Sequence, residues 1–308
     1  MSSFAMIFPG QGSQSVGMMN GFAATAGSVQ ATFEQASAAL GRDLWRLVCD
    51  GPAEDLNQTC WTQPVMLTAD IAVWRLWREA GGAMPAAMAG HSLGEYAALV
   101  AAGAMELADA VRVVHLRGNL MQQAVAEGEG AMAAILGLED SEVERLCAEH
   151  SGDRIAVAAN YNAPGQVVIS GHLDAIERVI EACRAAGAKR ALKLPVSVPA
   201  HSPLMQPAAP ELRAALEQIK IRAVQCPVLH NCSLAPAADA AAIRQALVEQ
   251  LTRPVPWTQT IAALVERGIQ RFVECGPGRV LAGLGRRIER AGEWPSLDSD
   301  EAIEKALA

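Results

Sequence analysis

The chain has 308 residues, enough for one large core or for a core carrying an inserted smaller unit. Hydrophobic residues make up 51% of it and charged residues 19%; alanine and glycine are abundant and aromatics few, which suits helices packed closely against a sheet. The formal charge of −8 excludes general nucleic-acid binding, which needs basic surface, and every apolar stretch is broken before the about 20 residues that span a bilayer.

Phe4 to Phe8 is a short apolar run ending in Pro9-Gly10-Gln11-Gly12, the pattern of a buried strand entering a tight loop. Helical periodicity follows over Ala31–Leu40 and Val65–Ala80, then a second short strand over Ala86–Ala89. An apolar helix over Leu93–Ala102 and a polar-faced one over Leu107–Ala126 come next. Strands alternating with helices predict a mainly parallel sheet covered on both faces.

The middle of the chain changes character. Ala131–Leu138 has a strand pattern, and Ser141–His150 a helical one, with Ser141 and Glu144 spaced as a capping box. Ile155–Ala159 and Gln166–Ser170 read as strands joined through Asn160 to Gly165. Leu173–Ala186 reads as a helix stopped by Gly187, and Arg190–Val198 as another strand. The order β-α-β-β-α-β is that of a ferredoxin-like unit. The α/β pattern then resumes, with strands at Val228–Asn231 and Arg271–Glu274 and helices at Leu204–Gln218 and Gln259–Arg267. The expected fold is therefore α/β, with residues 127–198 inserted as a small subdomain into a large one made of 1–126 and 199–308.

Seven cysteines show no CxxC pair and no clustering with histidine, which predicts reduced thiols. The opening Met1-Ser2-Ser3-Phe4 lacks a basic region followed by a long apolar run, so no secretory signal is expected, and the expected location is the cytoplasm. No metal site and no membrane contact are predicted, and a monomer is the default expectation.

Gly90-His91-Ser92-Leu93-Gly94 matches G-x-S-x-G between a short strand and a helix, the frame of a nucleophile elbow. The sharp turn presents Ser92, glycines on either side allow close approach, and the Leu93 amide at the helix start is placed to donate to an oxyanion. A glycine-rich turn capped by serine is the alternative. A nucleophilic serine needs a base. Of the six histidines, His91 adjoins the serine and would point elsewhere, His150 and His172 fall at helix ends, and His115 lies on a polar helix side. His201 and His230 remain; His201, where a strand leaves the insert and a helix begins, is favoured because that junction faces the cleft between the two units. Arg117 interrupts the apolar stripe of Ala110, Val113, Val114, Met121 and Ala124, so its charge would be buried. It would serve either a structural ion pair or a fork-shaped clamp for a substrate carboxylate.

With these residues in place the sequence resembles the malonyl-CoA:acyl carrier protein transacylases, acyltransferases of fatty acid synthesis. The resemblance runs nearly end to end, through Phe8 to Gln14, Thr62-Gln63-Pro64, Gly90 to Tyr96, Arg117-Gly118, Ala159 to Asn162, Val198 to Ser202, Val255-Pro256-Trp257 and Glu274 to Gly278. It implies an α/β-hydrolase-like large subdomain interrupted by a ferredoxin-like small one. It implies Ser92 as nucleophile, His201 as base, the amides of Gln11 and Leu93 as oxyanion hole, and Arg117 as grip on the malonyl carboxylate. The main-chain carbonyl of Gln250 would orient the histidine in place of an acid. His91, Asn160 and Asn162 would line the substrate cleft, and Leu93 after the serine matches the malonyl-specific members. No bound cofactor is implied; malonyl-CoA and the phosphopantetheine of acyl carrier protein are substrates of a ping-pong reaction. Carrier proteins of this kind are acidic, and Lys189-Arg190 and Arg286-Arg287 are the candidate basic patch, although such pairs are commonly only solvated surface. The alternatives are a discrete acyltransferase of a polyketide pathway or of a malonate decarboxylase system, a serine thioesterase or hydrolase, and a catalytically inert docking module.

Overall fold

A strand with neighbours on both sides and helices on both faces must be apolar at every position, and Phe4-Ala5-Met6-Ile7-Phe8 is. The computed structural model describes residues 3–196 and 198–308. Among them the strands are β1 (Phe4–Phe8), β2 (Ala87–Gly90), β3 (Gly130–Leu136), β4 (Ala156–Ala163), β5 (Gln166–His172), β6 (Arg190–Lys193), β7 (Val228–Leu229) and β8 (Arg271–Glu274). They form two sheets, ordered β7-β2-β1-β8 and β4-β5-β3-β6.

The first sheet is parallel throughout. Alternation along β1 divides its core: Phe4, Met6 and Phe8 join the layer containing the helices Ala26–Leu40, Thr59–Glu79 and Leu107–Gln123. Ala5 and Ile7 face the opposite layer, where Trp257, Ile261 and Leu281 come from the helices Trp257–Glu266 and Val280–Ile288. The second sheet is antiparallel, and the helices Asp140–His150 and Leu173–Ala185 cover one face, packing Val143, Leu146, Ile176 and Val179 on Ala131, Ala133 and Ile135. The architecture is thus an α/β-hydrolase-like large subdomain with an inserted ferredoxin-like small one.

The two units are stitched at β4, where the Val255 amide donates to Ala159 O at 2.8 Å and the Tyr161 amide to Val255 O at 3.0 Å. Among the described residues no helix is long and apolar enough to cross a membrane, and all seven cysteines are free.

Several local expectations are corrected. β4 continues to Ala163, so Asn160 and Asn162 are strand residues rather than loop, and only Pro164 and Gly165 make the turn. The strand expected over Arg190–Val198 stops at Lys193, ahead of Pro195 and Pro199, which have no amide to donate; Ser197 lies outside the described residues. The capping box does not form: the helix starts at Asp140, Ser141 lies inside it, and Glu144 instead accepts from Tyr161 Oη at 2.5 Å. The helix expected from Leu204 opens as a 3₁₀ turn over Pro203–Ala208, with Pro207 inside it, before the α-helix Ala209–Gln218. The helix expected from Val65 begins at Thr59. Helices over Leu44–Asp50, Ala240–Glu249 and Asp300–Leu307 escaped the periodicity, although each carries a capping side chain, from Asp43, Asp239 and Ser299.

Candidate active site

The elbow depends on two glycines. A Cβ on Gly90 would stand 1.8 Å from the Gly94 carbonyl carbon, and one on Gly94 would stand 2.1 Å from the Phe8 carbonyl oxygen. Only hydrogen fits where the end of β2, the start of the helix Gly94–Ala101 and the end of β1 converge. Between them Ser92 takes a left-handed φ of +50°, a strained backbone that surrounding bonds must hold. Asn231, just beyond β7, accepts from the Ser92 amide at 2.9 Å and donates through Nδ2 to Gly90 O at 2.8 Å. Gln250 Nε2 donates to Ser92 O at 2.9 Å. The Pro9-Gly10-Gln11 loop presses on the same turn, since a Cβ on Gly10 would lie 2.4 Å from His91 O and 3.6 Å from Leu93 N. Among the described residues neither the Gln11 nor the Leu93 amide has a protein acceptor.

His201 reaches this turn from the chain leaving the small subdomain. Its Nε2 lies 2.7 Å from Ser92 Oγ and its Nδ1 2.8 Å from the main-chain oxygen of Gln250. A carbonyl oxygen only accepts, so Nδ1 carries the hydrogen and Nε2 is left as acceptor for the serine hydroxyl. The ring is buried, and burial, aided by the positive charge of Arg117, pushes its pKa down to about 3. At neutral pH the imidazole is therefore neutral. The other histidine that sequence left open, His230, is buried elsewhere, with Nδ1 2.6 Å from Glu95 Oε1. His91 turns from Ser92 to Asn162, 2.8 Å away, and packs its ring beside Trp257.

Arg117 is 2% exposed, as its place in an apolar stripe predicted. Its Nη1 donates to Gln63 Oε1 at 2.7 Å, and its Nη2 to Gln250 Oε1 at 3.0 Å and Ser92 Oγ at 3.3 Å. Its Cζ lies 5.6 Å from the Tyr96 ring centroid. Among the described residues it makes no ion pair, which removes the structural ion pair as the reason for its burial.

Asn160 is buried where β4 bridges to Val255, two residues before Asn162, so both belong to the wall between the subdomains. A cleft of about 540 Å³ opens between the subdomains, lined by Glu144, Tyr161, Asn231, Cys232 and Arg253 among others. Lys189, Arg190, Arg286 and Arg287 are all exposed. The Lys189 stem packs on Gly137, whose amide donates to Gly165 O, while Arg287 donates to Pro164 O at 2.8 Å. The two basic pairs thus flank one β4–β5 turn.

Four polar groups at the site escaped sequence reasoning: the side chains of Gln63, Glu95, Asn231 and Gln250. Gln63 and Glu95 stand inside the motif blocks Thr62–Pro64 and Gly90–Tyr96, which was the available signal. Asn231 and the Gln250 carboxamide carry none.

Residues 5–293 match the acyl transferase domain family. The malonyl CoA-acyl carrier protein transacylase of Salmonella typhimurium is 52% identical over 307 residues, covering 100% of this chain and 99% of its own. The solved malonyl CoA-acyl carrier protein transacylase of Coxiella burnetii is 49% identical with a TM-score of 0.98, covering 99% of this chain and 97% of its own. A malonyl-transacylase solved in complex with its type II PKS acyl-carrier protein is 50% identical with a TM-score of 0.98, covering 99% of both chains. The chain belongs to the acyl transferase domain family and, within it, to the malonyl CoA-acyl carrier protein transacylases.

Proposed function

We propose that the protein transfers the malonyl group of malonyl-CoA to the phosphopantetheine thiol of an acyl carrier protein through a malonyl ester on Ser92, a reaction of fatty acid synthesis. The observation that carries this reading is one set of contacts: Ser92 Oγ lies 2.7 Å from His201 Nε2 and 3.3 Å from a buried guanidinium that no carboxylate pairs among the described residues. The first contact suits nucleophilic attack, and the second suits an acyl group bearing a carboxylate.

His201 Nε2 takes the hydroxyl proton as Oγ attacks the thioester carbon, while Gln250 O holds the ring in the tautomer that can do so. The Gln11 and Leu93 amides receive the developing oxyanion. Collapse breaks the C–S bond, and His201 returns the proton to the departing coenzyme A thiolate. The pantetheine thiol then attacks the malonyl ester by the reverse path, restoring Ser92. Arg117 grips the malonyl carboxylate throughout, and His91, Asn160 and Asn162 line the cleft. Every step uses side chains and backbone of this chain; coenzyme A and phosphopantetheine take part as substrates. Residues 127–198 form the insert, and Lys189, Arg190, Arg286 and Arg287 supply the basic surface that an acidic carrier requires. The setting we infer is a monomer in the cytoplasm.

Intact-mass analysis after mixing with malonyl-CoA, and then with purified holo carrier protein, tests this reading. A single malonyl adduct on Ser92 that only the carrier thiol discharges supports it; rapid discharge by water makes the protein a hydrolase. The relative solved with a type II PKS carrier favours a polyketide carrier as the second reading of the acceptor. Discharge rates with fatty-acid and polyketide carriers, measured side by side, decide between them.

A further inference from the structure

Among the described residues Arg117 is a buried cation bonded only to neutral oxygens, those of Gln63, Gln250 and Ser92. The carboxylate of its network stands one residue away. Gln250 Nε2 donates to Glu95 Oε2 at 2.7 Å and to Ser92 O at 2.9 Å, while Gln250 Oε1 faces the guanidinium. Glu95 is itself fully buried and held by His230 Nδ1 at 2.6 Å and the Asn231 amide at 3.0 Å.

This arrangement leaves the Gln250 carboxamide one orientation. Its amino group meets three acceptors, Ser92 O, Glu95 Oε2 and, at 3.3 Å, Asn231 Oδ1, and its oxygen meets one group that only donates; a flip would oppose like groups on both sides. The main-chain carbonyl of Gln250, which receives His201 Nδ1, is a separate group. We propose that the Gln250 side chain, oriented by Glu95, is a positioning group that holds Arg117 in place without neutralising it, and so sets the preference for an acidic acyl group over an uncharged one. A carboxylate directly on Arg117 would form a charge-assisted pair that competes with the substrate's own carboxylate. An apolar side chain there would leave the buried guanidinium short of a partner. The carboxamide avoids both, and passes the contact on to Glu95 behind it. The inference rests on the reading of Arg117 as the carboxylate clamp.

The test compares Ser92 acylation by malonyl-CoA and by acetyl-CoA, followed by rapid quench and intact mass, in the parent, Gln250→Glu, Gln250→Met, Glu95→Gln and Arg117→Ala. All 250 variants keep the main-chain carbonyl. In Gln250→Glu the introduced carboxylate pairs with Arg117, so kcat/KM for malonyl-CoA falls, mainly through KM, while acetyl-CoA, which loses only the support of the donor to Ser92 O, falls by less and the malonyl-to-acetyl ratio drops about tenfold or more. Gln250→Met lowers the malonyl-to-acetyl ratio in the same direction by less. Glu95→Gln keeps the ratio, because a carboxamide at 95 still offers an oxygen to Gln250 Nε2 and to the Asn231 amide. An unchanged ratio in Gln250→Glu, or equal slowing of both acyl groups, overturns the proposal. If Gln250→Glu does not fold, an unchanged ratio in Gln250→Met overturns it. Arg117→Ala separates the two levels. If it leaves the malonyl preference intact, the clamp reading itself fails. If it abolishes the preference while the 250 variants retain it, only the positioning role fails.

Discussion

Asn231 stands directly behind Ser92, accepting from its amide at 2.9 Å and donating to the Gly90 carbonyl at 2.8 Å. The bonds span the residue whose φ of +50° the local chain would not choose. Asn231→Ala leaves both backbone groups without these partners and is expected to cost about 1–3 kcal/mol. Because the elbow then relaxes, Ser92 acylation by malonyl-CoA should slow at least about tenfold. Thermal unfolding and single-turnover acylation check the two effects; a stable variant acylated at the parent rate contradicts the assignment.

Gly90→Ala forces a methyl group into the Gly94 carbonyl, and backbone cannot swing aside as a side-chain tip can. The expected loss exceeds about 4 kcal/mol, the range of severe steric disruption, so little folded protein should be recovered. Gly27→Ala is the control: it lies in the helix Ala26–Leu40 with nothing near its Cβ position, and should stabilise by about 0.4–1 kcal/mol. Urea unfolding of both variants measures the contrast.

Arg117 lowers the pKa of His201, adding to the larger effect of burial. Acylation needs neutral His201, so removing the neighbouring charge raises that pKa and moves the acidic limb of the pH profile to higher pH. The profile of Arg117→Ala, measured with acetyl-CoA to avoid the lost carboxylate contact, should show that upward movement. A limb that stays put or moves down contradicts it. Malonyl-CoA acylation by the same variant should fall about 100-fold, the worth of one buried charged hydrogen-bond set.

Burial of neutral His201 also links stability to pH. Its pKa is lower folded, about 3, than unfolded, 6.5, so protons bind the unfolded chain more tightly. The stability it contributes is present above pH 6.5 and lost as pH falls from there towards 3. His201→Gln should therefore show a shallower fall of Tm across that window than the parent, read by calorimetry at several pH values.

Lys189 and Arg287 flank the same β4–β5 turn from different subdomains. Lys189→Glu combined with Arg190→Glu should slow discharge of malonyl-Ser92 by carrier protein about tenfold, through the encounter rate. Raising the salt concentration should narrow the difference, since exposed charges are screened. Equal discharge rates at low salt would remove these residues from the docking surface.

What could be read directly from sequence was whatever local chain constraints dictate. β1 falls where its apolar run lies, at Phe4–Phe8, because every position of that strand is buried, and β8 was legible at Arg271–Glu274 around the apolar pair Phe272-Val273. The elbow was legible because glycine at 90 and 94 is a backbone requirement, visible without knowing what packs there. Arg117 was legible because charge in an apolar helical stripe is costly wherever it lands. Tertiary structure alone decided which partners met these groups. His201 and His230 both follow strands and offer the same chemistry in sequence; folding across the cleft brought one to Ser92 and the other to Glu95. The carbonyl that orients His201 belongs to the backbone, which every residue carries, so Gln250 had no side-chain signature for that role. Its carboxamide, Asn231 and Glu95 meet the elbow and one another chiefly through contacts between segments more than a hundred residues apart. Local conformational cost made Ser92 visible in the sequence, and long-range burial of polar groups determined how it is held.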